Sequence, residues 1–475
     1  MFDGLQGQEG LEMRKVVPPL GAWALSIGCT VGWGSFVMPS STFLPKAGPW
    51  GTAIAFAFGF AAMLVVALNY GYLAQRCPIE GGVYSYAHSA FGPNHAFVCS
   101  WCLVLAYSSA MIANATALAL VIRSVFGSVL QVGFHYVVAG YNVYMGEVLL
   151  GMFVMTTAAY ICARSVRLTA LLETFLSIGL LVGILVIALL AFTSDALRPD
   201  ALKPAFSPHT SPFAGTLMVV AAVPWSYIGF EAVTQVTGEC RFPLRHLTRV
   251  MVVSILCGTL MYVVLNTVTA AFIPAEYPNW VAYLEALPSL GGTAAIPSFA
   301  AGAQMAGRLG VFLFFFTALC AVLSGVLGFF VAASRLIHTM AVDGALSHRY
   351  ARLHAVYRTP VVATMVVFTA SLVMPLLGRN VLTWIVDLMS LGALVAYLYT
   401  SLATVHYARD EHDRMHVALG YVGVLVSVLC LSLLIVPIPR LGTALSKESY
   451  IILFTWVALG VNFFTPTLVR QGREG

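Results

Sequence analysis

Charge is scarce in this 475-residue chain: Asp, Glu, Lys and Arg make up 9% of it, against about a quarter in soluble domains. With 60% hydrophobic residues and a mean hydropathy of +0.89, that shortage excludes an ordinary water-soluble globule. No polar run is long enough to form a separate soluble domain. No Gly-x-x-x-x-Gly-Lys-Ser/Thr loop is present to cradle ATP phosphates, and no His-Glu-x-x-His to hold zinc. The nine cysteines are scattered, and the single Cys-x-x-Cys, Cys99 to Cys102, lies in an apolar helical run without a second pair. It reads as small apolar packing, not as a metal or redox centre. No metal ligand set, catalytic trio or nucleic-acid partner is expected, and the net charge of +5 reflects basic connections between apolar stretches.

What the chain has instead is apolar length. Stretches at 19–45, 50–74, 95–126, 147–163, 168–192, 212–239, 247–273, 308–341, 360–377, 380–407, 416–436 and 449–470 each approach or exceed the roughly 20 residues that cross a bilayer as a helix. The fold class is therefore an all-α integral membrane protein with about twelve spans and the lipid bilayer as its partner. The opening residues lack a small-residue cleavage pattern and are read as a retained tail inside the cell. With that orientation Lys and Arg favour the inner connections two to one, which places both termini in the cytoplasm and the protein in the cell membrane.

Two spans carry interruptions. Ile27 to Pro39 puts Gly28, Gly32, Gly34 and Pro39 into the first, and Pro224 to Glu231 puts a proline and Gly229 into the sixth. Glycine weakens a helix and proline removes a donor. Backbone groups freed in this way are tolerated at membrane depth only inside protein or against a cavity or ligand. Five crossings separate the breaks, so equivalent elements face opposite ways, the sequence sign of an inverted repeat. The organisation read from this is a tail at 1–18, a first five-helix repeat at 19–192, an outer loop at 193–211, a second repeat at 212–407 and two further helices with the C-terminus at 408–475. Half-helix N-termini suit a carboxylate and half-helix C-termini suit an ammonium group or Na⁺, so the paired breaks suit a zwitterion such as an amino acid.

These residues resemble the amino acid–polyamine–organocation (APC) family of permeases from about Gly21 to Arg409. The stretch Ile27-Gly28 to Pro39 is similar to that family's first-helix motif. Pro78, Glu80-Gly81-Gly82, Tyr84, Tyr86 and Ala90-Phe91-Gly92-Pro93 resemble the glycine-containing loop after its second helix. Trp225 to Glu231, with Gly238-Glu239 and Pro243, resembles its sixth-helix motif, and Ala333-Ser334-Arg335, Asp343-Gly344 and Thr359-Pro360 the end of its eighth helix and the loop beyond. The resemblance implies a LeuT-like fold, alternating access and a small amino-acid substrate at the two breaks. By position, Cys29, Thr30, Gly32, Trp33 and Gly34 would line the carboxylate side, and Trp225, Tyr227 and Ile228 the amine and side-chain end. Tyr107, Ser108, Phe329 and Ser390 would contribute from other helices.

Two departures bear on substrate and coupling. Trp33 stands where many members have a small hydroxyl residue, and its bulk could shrink the pocket or its indole N–H could donate. Several members carry a lysine in the fifth helix, whereas Thr174 to Val186 contains none, with Gly179 or Leu180 at about that place. Coupling would then fall to a cation, H⁺ or Na⁺, with Ser324 beside it, or to another titrating group. Glu231 is read either as tying down the broken backbone or as carrying a proton, Asp387 as a capping or vestibule residue, and Trp225 as lining the pocket. Trp280 to Leu287 is predicted to form a short gating helix, the alternative being a loop held at the membrane interface by Trp280 and Tyr283. The function implied is a secondary transporter of neutral amino acids, with a cationic amino acid or polyamine transporter as alternative. A transporter-like sensor and a membrane enzyme are the alternatives of another class. Neither a cofactor nor an obligatory protein partner is expected.

Overall fold

The computed structural model describes residues 13–77, 81–138, 140–378, 381–436 and 445–474. The motif residues Pro78 and Glu80 lie outside them. Helices fall on all twelve apolar stretches. The first is split into Pro19–Thr30, Gly34–Met38 and a wider-wound turn, Pro39–Phe43. The second to fifth are Leu44–Arg76, Pro93–Phe126, Met145–Arg164 and Val166–Thr193. The sixth runs through Pro212–Ala222 and Val223–Tyr227, breaks, and resumes as Phe230–Glu239. Leu247–Ala271, Pro297–Val342, Val361–Ser371, Val381–Asp410, Arg414–Ile435 and Lys447–Glu474 complete the order. Among the described residues nine helical stretches are long and apolar enough to cross a membrane unaided. Pro19–Thr30 is too short alone, so the first crossing needs both of its halves.

Large apolar side chains are exposed along the flanks, including Phe153, Phe175, Leu185, Phe192 and Phe312, each more than half exposed. An apolar surface of that kind is stable against lipid tails, not water. Inside, close approach is made by small residues: a Cβ on Gly71 would lie 2.0 Å from Thr248 Oγ1, and one on Gly183 2.2 Å from Thr317 Oγ1. At one end Arg76, closing the second span, pairs with Glu411 just after the tenth and holds that carboxyl below its usual range.

Three features lie between the spans. After the turn at Gly81 and Gly82, both at positive φ, residues Val83–Phe91 form a short helix, where the motif reading had only a loop. An antiparallel hairpin pairs His135–Val138 with Tyr141–Tyr144, and no strand was expected there. The helix expected near Trp280 is present as Trp280–Ala286, its N-terminus capped by Asn279, whose Oδ1 accepts the Ala282 N–H at 3.0 Å. Trp280 and Tyr283 are buried, with Trp280 Nε1 donating to Pro204 O and Tyr283 Oη to Ala294 O. They anchor the segment to protein, which overturns the interface alternative.

Candidate functional site

The first break is three residues long. Val31 takes an extended conformation (φ −109°, ψ 93°) while its N–H still reaches Ile27 O at 2.9 Å. The chain recovers helical bonding when the Ser35 and Phe36 N–H groups reach the carbonyls of Gly32 and Trp33. The Trp33 N–H donates to Asn114 Oδ1 at 3.3 Å, and Asn114 Nδ2 donates to Ala110 O at 2.9 Å on its own helix. Asn114 thus satisfies one of the amides that the interruption frees. It is held between two glycines, since a Cβ on Gly32 would stand 2.7 Å from Asn114 Oδ1 and one on Gly325 2.7 Å from its Nδ2. Asn114 was missed in the sequence; an amide side chain amid the small residues of the third span was the signal.

The sixth span breaks at Ile228 and Gly229, the latter at φ +111°, which an L side chain rarely adopts. A Cβ there would lie 2.5 Å from Cys29 Cβ and 2.8 Å from its carbonyl carbon. The two breaks therefore lie against each other, and Ser26 Oγ on the first span donates to Phe230 O on the sixth at 2.8 Å. Glu231 is fully buried beneath them; its Oε2 accepts the Gly229 N–H at 3.0 Å and the Tyr397 hydroxyl at 3.1 Å. This carboxyl ties the break to the tenth span.

A chamber of about 20 Å³ lies at the junction, lined by Cys29, Thr30, Gly32, Trp33, Gly34, Trp225 and Phe329 together with Asn114, Tyr262 and Met389. It has room for about one water molecule. Beyond it opens a vestibule of about 550 Å³. Trp33 and Trp225 line both spaces and meet edge to face, ring centroids 6.0 Å apart and planes at 70°. They form the partition, and Trp225 lies so closely over Gly34 that a Cβ there would be 2.1 Å from its ring. The remaining expected residues lie apart. Ser390 lines the vestibule, its hydroxyl donating to Val386 O. Tyr107 lies behind Phe329, ring centroids 5.7 Å apart. Tyr227 turns away, its hydroxyl 3.2 Å from Phe56 O and 2.7 Å from Thr259 Oγ1, and neither Ile228 nor Ser108 lines the chamber or the vestibule.

Ser324 donates to Glu173 Oε1 at 2.7 Å, 3.3 Å from Ser177 Oγ, which itself donates to Ala24 O on the first span at 2.8 Å. Gly28 leaves room for this cluster, since a Cβ there would lie 1.9 Å from Ser324 Oγ and 2.5 Å from Glu173 Oε1. Glu173 is 2% exposed and stands one residue before the lysine-free stretch singled out in the sequence. Its signal was available, because an ionisable residue inside an apolar span is a functional candidate by default.

On the side away from the vestibule the route is shut. Arg335 Nε and Glu239 Oε1 pair at 2.8 Å, both side chains 1% exposed. The segment before the first helix is strapped across the same place: Val16 and Val17 donate to Glu239 O at 2.9 Å, and the Arg241 N–H to Val17 O at 2.9 Å. A split helix pair thus encloses a small, mostly apolar chamber between a vestibule and a closed end. The amino acid permease family model matches residues 19–461. Over 398 residues the chain is 27% identical to the branched-chain amino acid permease BcaP of Bacillus subtilis (strain 168), covering 82% of this chain and 80% of that protein. It is 25% identical over 404 residues to the methylthioribose transporter of the same organism, with the same coverage, and 24% over 408 residues to human cationic amino acid transporter 4, covering 84% of this chain and 61% of that one. The breaks, the chamber between them and the match over nearly the whole chain agree: this multi-pass membrane protein belongs to the amino acid permease family.

Proposed function

We propose that this chain is a secondary transporter that moves neutral amino acids across the cell membrane by alternating access, with both termini cytoplasmic, and that it is not an enzyme. The observation that carries the reading is the contact of the two breaks, Gly229 on Cys29, with a chamber at their junction. Main-chain dipoles there can hold a carboxylate and an ammonium group, and the walls are aromatic or small. Glu231 does not line the chamber and is engaged by Gly229 and Tyr397, which favours an uncharged substrate side chain. Similarity to a branched-chain amino acid permease supports the same reading. A cationic amino acid is the second reading, supported by the similarity to cationic amino acid transporters, with Glu231 turning toward the extra amine.

For coupling we assign Glu173, Ser324 and Ser177, a buried carboxylate beside two hydroxyls, as the place suited to H⁺ or Na⁺. Uptake of labelled leucine and lysine into proteoliposomes tests the substrate. Saturable accumulation of leucine supports the neutral reading, preference for lysine the cationic one, binding without accumulation a sensor, and chemical alteration of the substrate an enzyme. Repeating uptake without Na⁺, then with the pH gradient collapsed, identifies the coupling ion; net uptake that survives both would replace gradient coupling by exchange or facilitated diffusion.

A further inference from the structure

Several arginines on the side closed by Arg335 and Glu239 are engaged by protein. Arg335 pairs with Glu239, Arg76 pairs with Glu411, and the Arg164 guanidinium lies 5.1 and 5.4 Å from the ring centroids of Tyr160 and Tyr357. Arg167, Arg245 and Arg249 differ. All three are exposed, and none has a carboxylate within 4.0 Å among the described residues. The sequence supplies none close by, since no Asp or Glu occurs from 164 to 172 or from 240 to 275.

Arg167 and Arg249 lie in the first turns of the fifth and seventh spans, which carry no acidic residue there. The helix dipole disfavours a cation at that end unless an anion joins it. Each arginine also heads an apolar stripe. Leu171, Phe175 and Ile178 follow Arg167 at helical spacing, and Val253, Leu256 and Leu260 follow Arg249, with Arg245 one turn before it; the six apolar side chains are 40–62% exposed. Stripes of this kind face lipid tails. Both helices begin at the same closed end: Val166 and Thr169 line a cavity of about 30 Å³ together with Glu239 and Arg335, and the seventh span follows Arg241, whose N–H bonds to Val17 O. The two helices touch, and both hold the first half of the first span: Ser177 donates to Ala24 O, and a Cβ on Gly258 would lie 3.2 Å from Thr30 Cγ2.

We propose that an anionic phospholipid of the adjoining leaflet seats its phosphate among Arg167, Arg245 and Arg249, with its acyl chains along the apolar stripes of the fifth and seventh spans. Packed helices stand about 8–10 Å apart, a gap that long arginine side chains cover from both sides. The phosphate supplies the anion that the three guanidinium groups and the two helix N-termini lack within the protein. Because the same two helices hold Pro19–Thr30, a lipid that ties them together braces the first span at the closed end.

The test titrates purified full-length protein in neutral detergent with phosphatidylglycerol or with phosphatidylcholine of the same acyl chains, read by native mass spectrometry and thermal unfolding. Phosphatidylglycerol is expected to bind saturably, more tightly than phosphatidylcholine, and to raise the Tm. Arg167→Gln and Arg249→Gln should each raise its half-saturating concentration roughly fivefold, the scale of one basic residue at an anionic lipid surface, and leave phosphatidylcholine binding unchanged. Arg249→Lys keeps the charge and should bind phosphatidylglycerol more tightly than Arg249→Gln. Arg349→Gln removes an exposed arginine from the turn His348–Ala351, off both stripes, and should bind as the wild type does. Glycerol 3-phosphate, a head group without tails, should leave the Tm unchanged at the same concentrations. The proposal is overturned if the two lipids bind alike, if both glutamine variants on the stripes bind phosphatidylglycerol unchanged, if Arg349→Gln weakens binding as much as Arg249→Gln, or if glycerol 3-phosphate stabilises as well as the lipid. None of these readouts depends on the solute carried, so the lipid site and the transport reading stand or fall separately.

Discussion

Toward Arg335 the route is closed by a buried ion pair, a strap of main-chain hydrogen bonds from Val16, Val17 and Arg241, and a tight glycine turn whose Gly81 meets Thr339. Toward Lys46 it is closed by two tryptophan rings touching edge to face. These seals differ in what opening them costs. Separating Arg335 from Glu239 leaves two charges that must be rehydrated or re-paired, at several kcal/mol per ion in a dry interior. An edge-to-face aromatic contact is worth about 0.5–1.5 kcal/mol beyond its buried area. The thin seal faces the large vestibule, so the first rearrangement on binding is expected at Trp33 and Trp225, with the charged seal parting later.

The charged seal is the more costly of the two to disrupt. Arg335→Met leaves Glu239 buried without its partner, and a loss of about 3–5 kcal/mol is expected in thermal or denaturant unfolding of the detergent-solubilised protein. Glu239→Gln in the same background should recover part of that loss, because the stranded charge is gone; no recovery would mean that the pair is not what the seal depends on. Next comes the contact between the breaks. Gly229→Ala must adopt φ +111° and press its Cβ on Cys29, so roughly 2–4 kcal/mol of destabilisation is expected from conformational strain and overpacking together, with loss of leucine uptake. Wild-type stability and uptake in that variant would separate the two breaks. Asn114→Leu, which deprives the Trp33 N–H of its acceptor, should cost about 1–3 kcal/mol and raise the KM for leucine. At the thin seal the readout is selectivity: Trp33→Ser should alter which amino acids are carried.

Much of this architecture was legible because bilayer thickness sets the length of each span and because glycine and proline inside an apolar run have few other uses. The breaks at Val31–Trp33 and Ile228–Gly229 lie where Gly32, Gly34 and Pro224 pointed. What could not be read was partnership between distant spans. Asn114 and Glu173 acquire meaning only when packing brings them to Trp33 and Ser324, and nothing in a linear pattern says which helix faces which. Tyr227 shows the converse: its place beside the break suggested the pocket, yet rotation about the helix axis turns its hydroxyl toward Phe56 and Thr259. The hairpin was within reach, since Tyr136-Val137-Val138 and Tyr141-Asn142-Val143 flank Gly140 with β-favouring residues, but two four-residue strands are easily lost among long apolar helices. Trp280 and Tyr283 carried the composition of an interface anchor, and only their hydrogen bonds to Pro204 and Ala294 show them turned inward.

An amino acid held where the two broken helices meet, beneath the Trp33–Trp225 partition, would be limited in size by Trp33. Counterflow of labelled leucine against a panel of unlabelled neutral amino acids of increasing bulk, in proteoliposomes of the wild type and of Trp33→Ser, reads that limit. The variant is expected to exchange bulkier side chains, such as phenylalanine and tryptophan, that the wild type excludes. An identical selectivity profile in the two proteins would contradict it.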